Sequence, residues 1–247
     1  MESIKKALKF QRRDFKKSAG MFWLVLFIVN IGSYVSMYKF NRGFIGISVS
    51  GYASIDDIDI TLISVAAANL VPIIIFFIVY CYEMYYEYFP VAISFSVTRK
   101  DFYKSAVIYN LIVAAVFALI QGILMKADLH LVQYLGQNIK SDFGIFNSGT
   151  DSIIFIVFSL FICFTVFASA MNLLSALNYK FGYRLWIVIA LLGIPYSART
   201  GIPFELIGRL FTERIGAAQF SILAITAIAC FVAGFLTVSG TNVKDRL

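Results

Sequence analysis

The chain has 247 residues, of which 60% are hydrophobic and only 14% charged, with a formal net charge of +7. An ordinary soluble domain carries about 25% charged residues, so a water-dispersed globule is excluded and lipid is the expected solvent. The basic residues mainly flank apolar runs, which reads as topology signals and attraction to anionic headgroups rather than a nucleic-acid surface.

Residues 1–19 come first. On a helical wheel Ile4, Ala7, Leu8, Gln11 and Phe15 share one face, and Lys5, Lys9, Arg12, Arg13 and Lys16 share the opposite one. That pattern predicts a basic amphipathic helix lying in the membrane interface. The apolar run that follows, residues 21–38, is longer than a signal-peptide core and has no A-x-A-like cleavage site after it, so it is expected to be a retained first span.

A helical span needs about 20 mostly apolar residues. Further spans are expected over residues 62–86, with Pro72 inside as a kink position set by its missing N–H, then 105–125, 152–177, 185–198 and 217–238. The fifth is short. Only 14 residues lie between Arg184 and Arg199, which at about 1.5 Å per residue spans roughly 21 Å of a core about 30 Å thick. Residues 203–216 follow with Phe204, Ile207, Phe211 and Ile215 at helical spacing, and with Glu205, Arg209 and Glu213 at i, i+4. An interfacial or re-entrant segment on the outer side is expected there.

The fold class that results is all-α: a polytopic membrane protein of six transmembrane helices, with residues 1–247 as one transmembrane domain. Lys and Arg set its orientation. Fourteen of the 21 fall before the first span, between the second and third, between the fourth and fifth, and after the sixth. That bias puts both termini in the cytoplasm. The acidic cluster Asp56, Asp57, Asp59 then faces outward and reads as a solvated loop.

Chemistry is sparse. There is no G-x-x-x-x-G-K-[ST] stretch to hold phosphates, so the chain is not expected to hydrolyse ATP. The single histidine, His130, placed in an outer loop, rules out an H-E-x-x-H metal site. Cys81, Cys163 and Cys230 each sit in an apolar run and read as small hydrophobes. Ion-coupled carriers keep ionisable residues inside their spans, and here Glu83, with Glu87 a turn later, is the main candidate. Asn30, Asn69, Asn110, Gln121 and Asn172 suit interhelical hydrogen bonds. Tyr80, Tyr82, Tyr85, Tyr86 and Tyr88 suit an aromatic belt.

The segment 87–104 is the most specific feature. Val91, Ile93, Phe95 and Val97 make it unusually apolar for a loop. Thr98 and Asp101 form a T-x-x-D pattern that can cap the third span. Two readings stay open: a short helix set into a cleft of another protein, or a loop packed on this chain's own helix ends.

In Phe89-Pro90 and in Ser96-Val97-Thr98-Arg99-Lys100-Asp101-Phe102 the segment resembles the coupling helix of ABC-2 type transporter permeases. The layout of amphipathic N-terminal helix, six spans and short fifth span is similar too. The resemblance implies a half-transporter of the bacterial cell membrane. A separate ABC ATPase subunit would bind ATP and Mg, none being held by this chain. A second copy or a related permease would complete the path. It further implies coupling through Glu83, Glu87, Phe89, Pro90, Phe95, Thr98, Arg99, Lys100 and Asp101, and export of an amphipathic substrate such as a small peptide. The competing classes are a non-transport sensor or assembly protein and an ion-coupled carrier.

Overall fold

The computed structural model describes residues 2–40, 64–136, 141–200, 214 and 216–241, with the side chains of 2–14, 40 and 192–200 outside that description. The acidic cluster at 56–59 and the segment 203–213 lie outside the described residues.

Among the described residues the secondary structure is helical. α1 is Glu2–Phe40, α2 Val65–Ala68, α3 Leu70–Glu83, a π-helical turn Met84–Tyr88, α4 Phe89–Ser94, α5 Arg99–Tyr134, α6 Ile153–Phe181 and α7 Tyr183–Thr200. The last described helix, α8, is Ala217–Ser239. Five stretches are long and apolar enough to cross a membrane: Phe15–Lys39, Val65–Ser94, Arg99–Tyr134, Ile153–Phe181 and Ala217–Ser239. The chain is a helical multi-pass membrane protein.

Three boundaries differ from the sequence reading. The amphipathic stretch and the first span form one helix, α1, of 39 residues, about 58 Å at 1.5 Å per residue. The second span does not end at residue 86 but runs through the π turn into α4. The third begins at Arg99 and reaches Tyr134, so His130 is an exposed residue of α5 and not of a loop.

The break between α2 and α3 has a covalent cause. Pro72 has no N–H to give the carbonyl four residues back. Near this break Gln121 Nε2 of α5 donates to Ala66 O at 2.7 Å. The π turn has a similar cause. Pro90 cannot donate to Tyr86 O, and the ladder just before it shifts to an i→i+5 bond from Phe89 N to Met84 O. Gly182, at φ +63, ends α6 in a conformation open to glycine, and its N–H closes on Asn178 O at 2.7 Å.

Side-chain registers fix helix directions. α1 and α5 run parallel, since Phe15 meets Tyr109 at 5.3 Å, Trp23 meets Phe117 at 5.1 Å, and Tyr34 reaches Asp128. α3 runs parallel to α6: Phe77 packs on Phe164 at 5.7 Å, and Tyr85 bonds Asn172. α5 is antiparallel to α6, because a Cβ at Gly122 would meet Val157 while Lys126 bonds the carbonyls at 148–151. α6 and α8 are parallel. Phe155 meets Phe220 at 5.9 Å near their starts, and Lys180 lies beside Gly240 near their ends.

The core is aromatic. Phe22, Phe76, Phe77, Phe117 and Phe164 interlock across four helices, with Phe77 and Phe117 fully buried. Lipid offers helices no hydrophobic gain on association, so ring packing and polar bonds hold the bundle.

Candidate functional site

The segment 87–104 is helix, turn and helix. α4 ends in a Schellman arrangement: Val97 N bonds Ala92 O at 3.1 Å, and Ser96 N bonds Ile93 O at 2.9 Å. Ser96 supplies the left-handed residue at φ +60, where glycine is the usual choice. Thr98 then caps α5, its hydroxyl accepting from Asp101 N at 3.1 Å, which realises the T-x-x-D pattern.

The predicted coupling residues divide into two groups. Phe89 is fully buried and packs on Phe102 at 5.1 Å and Tyr179 at 5.5 Å. Its ring positions α4 and offers no surface. Pro90, Arg99 and Asp101 are half-buried; Glu87, Thr98 and Lys100 are exposed. Phe95 stands out at 73% exposure, with Val91 beside it at 38%. These two share a face at i, i+4 while Ala92 and Val97 turn inward. The tip of α4 is therefore an exposed apolar knob. Glu83 lies half-buried at the end of α3. Of the N-terminal basic set, Lys16 is exposed; the side chains of Lys5, Lys9, Arg12 and Arg13 lie outside the described residues.

The joint above α4 combines rings with a few polar ties. Tyr85 OH donates to Asn172 Oδ1 at 2.6 Å, and Asn178 Nδ2 donates to Tyr86 OH at 2.9 Å. Trp186 Nε1 of α7 donates to Asn178 Oδ1 at 2.9 Å. π turns often mark functional positions in helices, and this one joins the second membrane-spanning helix to α4.

The opposite end of the bundle holds residues that the sequence reading missed. Asp128 of α5 is buried and accepts from Tyr34 OH at 2.6 Å, Ser64 Oγ at 2.7 Å and Ala66 N at 3.2 Å. One carboxylate thus ties α1, α2 and α5. Nearby Lys126 Nζ donates to Ser148 O at 2.7 Å and Asp151 O at 3.1 Å. Asp151 in turn accepts from Asn147 N at 2.7 Å and pairs with Arg214.

Apolar grooves line the sides. One of about 690 Å³ lies between α5, α6 and α8, and one of about 670 Å³ lies between α1 and α5. Among the described residues no group of three or more His, Cys, Asp or Glu could hold a metal ion. No protein-family model, curated protein or solved structure matches the chain.

Proposed function

We propose that this chain is the membrane-spanning subunit of an ATP-driven bacterial exporter of the ABC-2 type, and that α4 is the element by which a separate ATPase drives it. The observation that carries this reading is the knob at the α4 tip. A side chain as apolar as Phe95, at 73% exposure beyond the end of a membrane helix, gains by burial in a partner's cleft, and a full phenylalanine burial is worth about 1.5–3 kcal/mol. The buried Phe89 and the Ser96 turn hold that knob in one orientation.

Six crossings fit the helix directions. α6 and α8 are parallel, so residues 182–216 must return from the end of one to the start of the other. α7, with 18 residues, supplies about 27 Å of that path. With the Lys and Arg bias this reading puts both termini and α4 on the cytoplasmic side. ATP and Mg belong to the partner subunit, a second permease copy completes the path, and the substrate is amphipathic, with small peptides as the best fit to an apolar, charge-poor bundle.

The test is co-purification. The chain, expressed with its neighbouring gene products, is expected to bring down a nucleotide-binding subunit with vanadate-sensitive ATPase activity. Phe95→Asp with Arg99→Glu is expected to break that complex. Retention of the ATPase by the double variant would refute the role given to α4.

A second reading, an ion-coupled carrier, draws on Asp128, a carboxylate inside a membrane-crossing helix. Three donors already satisfy it, which favours a structural tie. Substrate movement in vesicles without any nucleotide, lost in Asp128→Asn, would favour the carrier.

A further inference from the structure

Beside the π turn lies a small pocket of about 110 Å³, lined by Phe15, Ser18, Phe76, Tyr80, Glu83 and Tyr88. Three of its rings form a mutual cluster: Phe15 meets Phe76 at 5.7 Å and Tyr80 at 5.2 Å, and Phe76 stacks on Tyr80 at 6.4 Å. The Tyr80 hydroxyl is buried and has no hydrogen-bond partner among the described residues. Glu83 brings a carboxylate with no ion-pair partner among the described residues.

Aromatic faces around a carboxylate are the chemistry that holds a cation. The volume sets the size of the guest. At roughly 30 Å³ per water, the pocket holds about three to four waters' worth of matter, far below the 300 Å³ or more of a pocket for a whole small molecule. It accepts one cationic head.

The approach to the pocket gives the rest of the ligand. Val71, Ile75, Val79 and Glu83 follow at four-residue spacing along α3, and the first three are exposed at 55%, 55% and 51%. An apolar stripe therefore leads along the membrane helix to a carboxylate at the α4 end. Glu87, exposed a turn further on, adds negative charge near Glu83. A zwitterionic lipid would bring its phosphate next to these two carboxylates and be repelled. A molecule that is apolar along its length and only positive at its end meets no such penalty.

We infer that Glu83 and the rings of Phe15, Phe76, Tyr80 and Tyr88 form a binding site for the lysine or arginine head of an amphipathic peptide whose apolar face lies on Val71, Ile75 and Val79. The inference rests on the exporter reading for its substrate class but not on the ATPase. The occupant enters along the α1–α3 face at the end that carries the coupling knob.

The test uses the full chain in phosphatidylglycerol nanodiscs, which contain no ammonium headgroup. The probe is a short helical peptide of leucine, alanine and serine with one terminal lysine and a photoreactive label beside it. Cross-linking to α3 is titrated for wild type, Glu83→Gln and Glu87→Gln. We expect Glu83→Gln to raise the half-saturating concentration about tenfold or more, as loss of a charge-assisted contact does, and Glu87→Gln to change it less than about twofold. A peptide with norleucine for lysine is expected to bind wild type as weakly as the lysine peptide binds Glu83→Gln, and this contrast stands even if that variant does not purify. Equal binding of lysine and norleucine peptides overturns the site. So does suppression of cross-linking by phosphatidylethanolamine to the Glu83→Gln level, which assigns the pocket to a lipid headgroup. Neither outcome depends on an ATPase partner, so failure of the exporter reading is read separately in the co-purification.

Discussion

The tie at Asp128 gives the sharpest stability prediction. Asp128→Ala leaves Tyr34 OH, Ser64 Oγ and Ala66 N without their acceptor, at sites that are buried or half-buried. Leaving a buried polar group without its partner costs about 1–3 kcal/mol in soluble proteins. Interhelical bonds inside membranes average only about 0.6 kcal/mol and reach about 1.7, because the unfolded chain in lipid finds other partners. Asp128 lies where both oxygens are used and three elements converge, so the upper part of the membrane range applies. A cycle of Tyr34→Phe, Asp128→Asn and the double variant isolates one bond, and we expect a coupling of about 1–1.5 kcal/mol. The assay is reversible unfolding in mixed micelles of rising SDS fraction, followed by far-ultraviolet circular dichroism. Tyr34→Phe keeps the ring that lies between α1 and its neighbours, so lost packing does not contaminate the result. A coupling below about 0.3 kcal/mol, within ordinary additivity error, would refute the claim that this carboxylate holds α1 to α5.

Three other outcomes follow from local geometry. Ser96→Gly is expected to stabilise the α4–α5 turn by about 0.5–1 kcal/mol, since the left-handed backbone at φ +60 is strained for serine; an unchanged or lowered midpoint in the same SDS titration would count against it. Thr98→Ala is expected to cost about 1 kcal/mol by removing the α5 cap, and faster amide exchange at Asp101 is the residue-level readout. Gly234→Ala would push a methyl group into the Tyr103 hydroxyl and break its 2.7 Å bond to Phe231 O, with a loss of about 1–3 kcal/mol. Much of that loss should disappear in a Tyr103→Phe background, and a full loss there would show that the clash lies elsewhere.

The apolar runs made five spans legible, because a bilayer leaves few alternatives to a helix of about 20 residues. The T-x-x-D cap was legible as well, since it depends on residues three apart. What escaped were features set by pairing between distant residues. The expected third span stops at residue 125, just before Lys126, whereas α5 runs on to Tyr134. Yet Gln121, Met125, Asp128 and Val132 continue one face at helical spacing, and all four are buried. Lys126 is tolerated because its ammonium donates hydrogen bonds to backbone carbonyls at 148–151. Taken alone, the alternation of Val91, Ile93, Phe95 and Val97 is compatible with period two. The structure selects period 3.6 instead: Val91 and Phe95 face out together, and Ala92 and Val97 close the Schellman turn. A pattern of seven residues cannot separate those periods when small residues fill the gaps.

The two ends of the bundle are held by different kinds of contact. At the Asp128 end the ties are short hydrogen bonds to a carboxylate and from an ammonium, and these are directional: a small rotation of α1 or α5 breaks them. At the α4 end the holding contacts are mostly rings, with Phe89, Phe102, Tyr85 and Tyr179 at centroid distances of 5.1–6.4 Å. Ring contacts weaken gradually as one ring slides over another and keep most of their burial while doing so. If a partner pushes on Phe95, as proposed, the push is taken up first at the α4 end, where the π turn already has a loosened ladder. It reaches Asp128 only if α5 moves as a rigid rod from its Thr98 cap onward. α5 has no break over its 36 residues, so cap and carboxylate lie on one lever. Thr98→Ala combined with Asp128→Asn should then be non-additive in transport, although the two sites are about 45 Å apart at 1.5 Å per residue. Additive effects would mean that the two ends work independently.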